Sequence, residues 1–290
     1  MRTISSCCLK LLLLFQAVPV QAAQQRIDER EVRANEVIPF QLSAGFLIVV
    51  EGRVGHLKGL RFVLDTGATY SVVARKVADK FSLTRSKERL FNFDKWVEVE
   101  RAEFPEVQFG PIEVRNASLM VDDLTKSSEF ATDLDAVIGL DLLSMSKRFR
   151  IDYEARTVLL QKTSGAPHGD LRQEKPNRFV VQVLVQGGPV RLLVDTGMEG
   201  ILLYEDRVRK RVPGLRLLDE RNGVRLGRLR VKRAKLPGVY WGNGEKELQV
   251  YLMRGPLEDI ARGIEGYLGT ASLKALQIEF DFEGKKFRWQ

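Results

Sequence analysis

The chain has 290 residues, a formal net charge of +8, 44% hydrophobic residues, two cysteines and two histidines. This length can support two domains with cores of their own, and the composition is neither that of a disordered chain nor of a low-complexity one. His56 and His168 have no partners at ligand spacing, so a Ser-His-Asp triad or a histidine metal centre has nothing to rest on; neither metal nor cofactor is expected.

Met1 to Ala22 sets Arg2 and Lys10 ahead of the apolar run 11–15 and ends on Val20-Gln21-Ala22, the layout of a signal peptide. It is too short and interrupted for a lasting transmembrane helix. Cys7 and Cys8 both precede the apolar run, which speaks against a lipoprotein, and their removal leaves a chain without thiol or disulfide. The expectation is a secreted or periplasmic protein with no stable membrane insertion. Residues 23–35, polar and of mixed charge, read as a leader.

Residues 36–162 read as a first lobe. Phe46 to Glu51 predicts a strand, Gly52 to Gly59 a turn region, and Arg61-Phe-Val-Leu64 a second strand running into Asp65-Thr66-Gly67. Ser71 to Val73 predicts a short strand and Ala74 to Phe81 a helix with Val77 and Phe81 on one face. Leu90 to Val99 alternates around Asp94-Lys95 as a hairpin. Residues 163–176, rich in glycine, proline and polar residues, read as a linker. In the second lobe, 177–290, Phe179 to Val185 predicts a strand, Gly187-Gly188-Pro189 a turn, and Arg191-Leu-Leu-Val194 a strand running into Asp195-Thr196-Gly197. A helix is expected over Tyr204 to Val212, stopped by Pro213, and a second hairpin over Val224 to Lys235.

The repeat carries the argument. One Asp-Thr-Gly arises by chance in roughly one chain in twenty of this length. Here it occurs twice, at Asp65 and Asp195, and each copy has the same sequel: the glycine of Val137-Ile138-Gly139 follows Asp65 at the same interval as that of Tyr267-Leu268-Gly269 follows Asp195, since 139 − 65 = 269 − 195. Residues 99–110 match 231–242, and 151–158 are answered by 280–287. The period, close to half the chain, is a domain and not a solenoid unit.

A strand, Asp-Thr-Gly and a later apolar-apolar-Gly resemble the aspartic proteases, in particular the compact retropepsin-like lobes of bacterial members; two such lobes resemble the bilobal pepsin plan. The resemblance implies an all-β fold of two tandem retropepsin-like β-barrel lobes with a few short helices and an interlobe cleft. It implies an endopeptidase acting on polypeptide, with Asp65 and Asp195 as the catalytic dyad activating a water. Thr66 and Thr196 would brace the lobes beneath the dyad, and Gly67 and Gly197 would let amides approach the carboxylates. Ala68 and Met198 follow each motif, and Gly139 and Gly269 would pass under them without room for a side chain. By position the two hairpins would flank the cleft, with Trp96 and Gly227 near substrate, although Trp96 also suits plain packing on a sheet face.

Two features leave alternatives open. The family has a small residue where Met198 stands, followed here by Glu199; these either crowd the cleft and add a third carboxylate, or turn away. Residues 177–290 carry 21 Lys+Arg against 14 Asp+Glu, or +7, whereas residues 35–162 carry 18 against 19, or −1. The densest run, Arg225 to Lys235, either attracts acidic partners or keeps an exposed strand soluble and protected from edge pairing. No nucleic-acid motif accompanies it. The chain is thus expected to be a monomeric exported endopeptidase; a silent peptide-binding protein of the same fold, or tandem lobes pairing between chains, are the alternatives.

Overall fold

The computed structural model describes residues 37–92, 95–110, 112–127, 134–146, 148–160, 171–172, 178–186, 188–218, 224–226, 229–240, 245–255 and 263–290. The expected signal peptide and leader, most of the expected linker, and Gly227 lie outside these residues.

The protein is all-β with a few one-turn helices. The first half contributes β1 (Val37–Ser43), β2 (Leu47–Val54), β3 (Leu57–Leu64), β4 (Val72–Ala74), β5 (Arg85–Asn92), β6 (Lys95–Phe109), β7 (Ile112–Asp122), β8 (Ala136–Ile138), β9 (Arg148–Asp152) and β10 (Thr157–Leu160). The second contributes β11 (Leu171–Arg172), β12 (Val180–Val185), β13 (Gly188–Asp195), β14 (Ile201–Tyr204), β15 (Arg216–Leu217), β16 (Val224–Leu226), β17 (Leu229–Tyr240), β18 (Glu245–Met253), β19 (Gly266–Gly269), β20 (Gln277–Asp281) and β21 (Lys286–Trp289).

The order of pairing recurs. In the first half β2 pairs antiparallel with β3, β3 parallel with β8, β8 antiparallel with β4, β4 parallel with β7, and β7 antiparallel with β6. In the second, β12–β13, β13–β19, β19–β14, β14–β18 and β18–β17 repeat those relations in the same order. Strand segments covered on both faces are apolar on both faces. Phe62, Val63 and Leu64 of β3, and Leu192, Leu193 and Val194 of β13, are accordingly all buried.

The halves do not close separately. The C-terminal β20 pairs antiparallel with β9, setting Ile278 against Ile151 and Phe280 against Phe149. Flanked by β21 on one side and β10 on the other, these strands form a joint sheet that continues from β10 through β1 into the first half. Arg148 meets Asp281 at 2.9 Å across the joint, and Phe179 of the second half packs edge-on against Phe280 at 5.3 Å. Such aromatic pairs add to what their buried area already contributes.

Local expectations shift in three places. Gly52 to Gly59 is not one long turn, since β2 runs on to Val54 and β3 restarts at Leu57. Gly52 sits inside β2 because the Phe62 ring occupies the space of a side chain, 2.2 Å from where a Cβ would be. The helices expected over 74–81 and 204–212 shrink to single turns, Arg75–Ala78 and Glu205–Val208. One turn suffices to bury Val77 and Val208, and so short a segment has no propagation to extend it. Finally, Leu171 and Arg172, inside the expected linker, pair with Val181 and Val180.

Candidate active site

Each motif is delivered by a strand whose end lies beside the later glycine. The Asp65 amide donates to the Ile138 carbonyl at 2.9 Å, and Asp195 is paired with Gly269 across the parallel β13–β19 ladder. A Cβ on Gly139 would lie 2.7 Å from the backbone of Tyr70, and one on Gly269 2.3 Å from the Met198 carbonyl. Both approaches are closer than any side chain tolerates, so only glycine fits.

Beneath the aspartates the two threonines lock reciprocally. The Thr66 amide donates to Thr196 Oγ1 at 3.0 Å and the Thr196 amide to Thr66 Oγ1 at 3.1 Å. Each hydroxyl then donates to the opposite strand, Thr66 to the Val194 carbonyl at 3.0 Å and Thr196 to the Leu64 carbonyl at 2.8 Å. All four groups are buried, so each bond also prevents an unsatisfied polar atom.

The carboxyl groups converge above this brace. A Cβ on Gly67 would sit 2.5 Å from Cγ of Asp195, and one on Gly197 would sit 2.7 Å from Oδ2 of Asp65. Each carboxyl therefore lies over the glycine of the opposite motif. The Gly67 and Ala68 amides donate to Asp65 Oδ1 at 2.7 and 3.2 Å, whereas among the described residues Asp195 Oδ1 accepts one amide, that of Gly197, at 2.7 Å.

Burial and proximity set the charge. Asp65 and Asp195 are 1% and 3% exposed, so desolvation penalises ionisation of both. Asp65 is pushed up to about 6 by burial, held back by its two amides and a hydrogen bond with Asp195. Asp195 is raised well above the carboxylate range, by burial first and then by the charge of Asp65. Two carboxyls this close and this buried cannot both ionise, so the pair shares one proton near neutral pH.

Ala68 is wholly buried, its amide on Asp65. Met198 is also fully buried, in a cluster with Leu193, Leu202, Tyr204, Tyr251, Met253 and Tyr267, so its side chain is part of the core. Glu199 is partly exposed. Trp96 lies on β6 opposite Phe91, partly buried, with the Arg89 guanidinium 5.3 Å above its ring. That is consistent with the packing reading of Trp96, and its hairpin does form.

Several residues escaped the sequence reading. Ser71 Oγ donates to Asp141 Oδ1 at 2.6 Å and accepts the Gly139 amide at 2.9 Å, tying the first motif to its glycine turn. Burial raises the Asp141 carboxyl. With the halves aligned on their aspartates, the equivalent positions are Ile201 and Ala271, so the second half lacks this anchor; its nearby polar contact is the buried Tyr204–Tyr267 hydroxyl pair, 3.0 Å apart. Asp135 and Glu265 accept the Arg61 and Arg191 amides at 2.9 and 2.6 Å. That pair was legible, since an acid stands four residues before each glycine and an arginine four before each aspartate. Arg178, 8% exposed, reaches Thr69 Oγ1 at 3.5 Å across the junction. Among the described residues no cluster of His, Cys, Asp and Glu is arranged to hold a metal, and no helix is long and apolar enough to cross a membrane.

The fold and site are those of an all-β protein with two convergent, buried aspartates. Residues 50–145 match the family described as "gag-polyprotein putative aspartyl protease", a retropepsin-like class. The match spans Asp65-Thr66-Gly67 and Gly139 and ends before Asp195. No curated protein matches the chain. The family match supports proteolysis in general and a polypeptide as substrate.

Proposed function

We propose that the chain is an exported aspartic endopeptidase, with residues 36–162 and 177–290 as its two lobes and Asp65 and Asp195 as its catalytic dyad. The observation that carries this reading is the crossed seating of each carboxyl over the opposite glycine, which brings two independent motifs into one buried site. In the working state Asp65 is charged and Asp195 holds the proton. Asp65 takes a proton from water as its oxygen attacks the peptide carbonyl, while Asp195 gives its proton to the developing oxyanion. The tetrahedral intermediate then collapses as the proton on Asp65 passes to the departing nitrogen and the hydroxyl proton returns to Asp195. No covalent enzyme intermediate forms.

The core position of Met198 favours this over a silent binding protein, because the side chain that would crowd the cleft faces away from it. The threonine brace is satisfied within one chain, which favours a monomer over lobes pairing between chains. The test is cleavage of an unfolded polypeptide between pH 5 and 8, sensitive to pepstatin and absent in Asp65→Asn and Asp195→Asn. Folded protein that binds peptides without cleaving them would overturn the reading. Export is tested by mass: the exported protein should begin near Ala23 and lack Cys7 and Cys8, and a mass that retains them refutes the signal peptide.

A further inference from the structure

The halves can be superimposed by hairpin register. Val50 pairs with Phe62 and Val181 with Leu192, and Phe62 and Leu192 each stand three residues before their aspartate. Three residues before Val50 and Val181 come Leu47 and Arg178, so where the first half buries a leucine the second buries an arginine. A buried guanidinium is costly unless a carboxylate compensates it. Among the described residues none does. Its hydrogen bond is the long one to the Thr69 hydroxyl, and the groups that bear on it electrostatically are the phenols of Tyr267, Tyr204 and Tyr70.

Its location is equally informative. Thr69 lies four residues beyond Asp65, and Tyr267 two before Gly269. The guanidinium thus reaches the chain just beyond the Asp65 motif, at the seam between the halves. Thr69, which accepts from the guanidinium, and its neighbour Tyr70 are only partly buried. The charged groups acting on Tyr70 are Arg101, Asp141, Glu88 and Arg178. Asp141 is engaged by Ser71 and Glu88 by Arg101, which also lies 5.5 Å over the Tyr70 ring.

We infer that Arg178 is a specificity-determining residue that takes the carboxylate of an aspartate or glutamate side chain beside the scissile bond of the substrate. The guanidinium offers donors in a fork that matches a carboxylate, and the Thr69 hydroxyl lies beside it. Above pH 6, where the dyad carries one charge, such side chains are ionised. The inference rests on the protease reading for its role in turnover, but the carboxylate site can be tested without it.

The experiment uses the full chain and matched peptides that differ at one position, Asp or Glu against Asn or Gln, near pH 7. With wild type, one position should show a preference for acid of at least about tenfold in kcat/KM, the size of a charge-assisted hydrogen bond. Arg178→Gln should erase that preference by slowing the acidic peptides, leaving the amide peptides within about twofold. Thr69→Asp supplies an internal carboxylate to the same guanidinium, so it should also erase the preference while retaining the fold even if Arg178→Gln does not. Lack of acid preference at every position, or a preference that survives both substitutions, overturns the inference. Binding of the same peptides to Asp65→Asn separates the two claims. If wild type cleaves nothing, the protease reading fails, yet tighter binding of the acidic peptide that is lost with Thr69→Asp upholds the carboxylate site. Equal binding of the pair overturns it.

Discussion

The two halves present the same Asp-Thr-Gly turn but support it by different means. In the first, Asp65 accepts two amides, and a polar relay through Ser71 and Asp141 holds the turn against Gly139. In the second, Asp195 accepts one amide, and the turn rests on an apolar bed of Met198, Leu202 and Met253 beside the Tyr204–Tyr267 pair. Amide donors stabilise a carboxylate and an apolar bed does not. The asymmetry favours the charge on Asp65 and the proton on Asp195, although the motifs themselves are identical.

The largest effect expected is on chemistry. Asp65→Asn and Asp195→Asn should each reduce cleavage to background, yet both should raise the melting temperature at neutral pH. A carboxyl raised in the folded state costs nothing below its unfolded pKa, where both states are protonated. As pH rises towards the folded pKa the unfolded chain ionises first and stability falls, with the penalty complete above it. For Asp65, moved from 3.8 to about 6, the penalty is about 3 kcal/mol, and Asp195 carries one of the same sign. The gain should shrink towards pH 4 for both. In the double variant the gains should fail to add, because one repulsion cannot be removed twice. Additive gains in thermal melts would break the convergence of the two halves.

Met198→Ala sharpens the contrast in support. Truncating a buried methionine should cost about 2–5 kcal/mol in denaturant melts with little change in peptide preference. A changed cleavage pattern with unaltered stability would put the side chain in the cleft. Thr66→Val and Thr196→Val should cost similar amounts, about 1–3 kcal/mol each, because each strands a buried amide and a carbonyl of the other half. Unequal losses would mean that the brace is not reciprocal. The smallest effect is in the pH profile. Between pH 5 and 6, kcat/KM should rise about fivefold as Asp65 ionises, then fall at higher pH as Asp195 loses its proton. A profile already flat by pH 4 would contradict the burial of the pair.

The strands that carry Asp65 and Asp195, the need for glycine after each, and the later Gly139 and Gly269 were all legible in the chain, because strand propensity and glycine's absence of a side chain act over a few residues. The hairpins showed for the same reason, through their alternation. The two helices were read too long, since a helical face of Val77 and Phe81 is satisfied by a single turn once neighbouring strands cover it.

What no local pattern encodes is which segment meets which. The similarity of 151–158 to 280–287 suggested equivalent endings, but only the folded chain sets Ile278 against Ile151 in a joint sheet. The sequence by itself determined two aspartates on glycine turns, one in each half of the chain. Tertiary structure decided that Met198 faces the core, that the two carboxyls meet in one buried site and that, among the described residues, no carboxylate pairs with the buried Arg178. Each of these depends on desolvation and on neighbours far away in the chain, and a residue's burial is set by everything that packs around it.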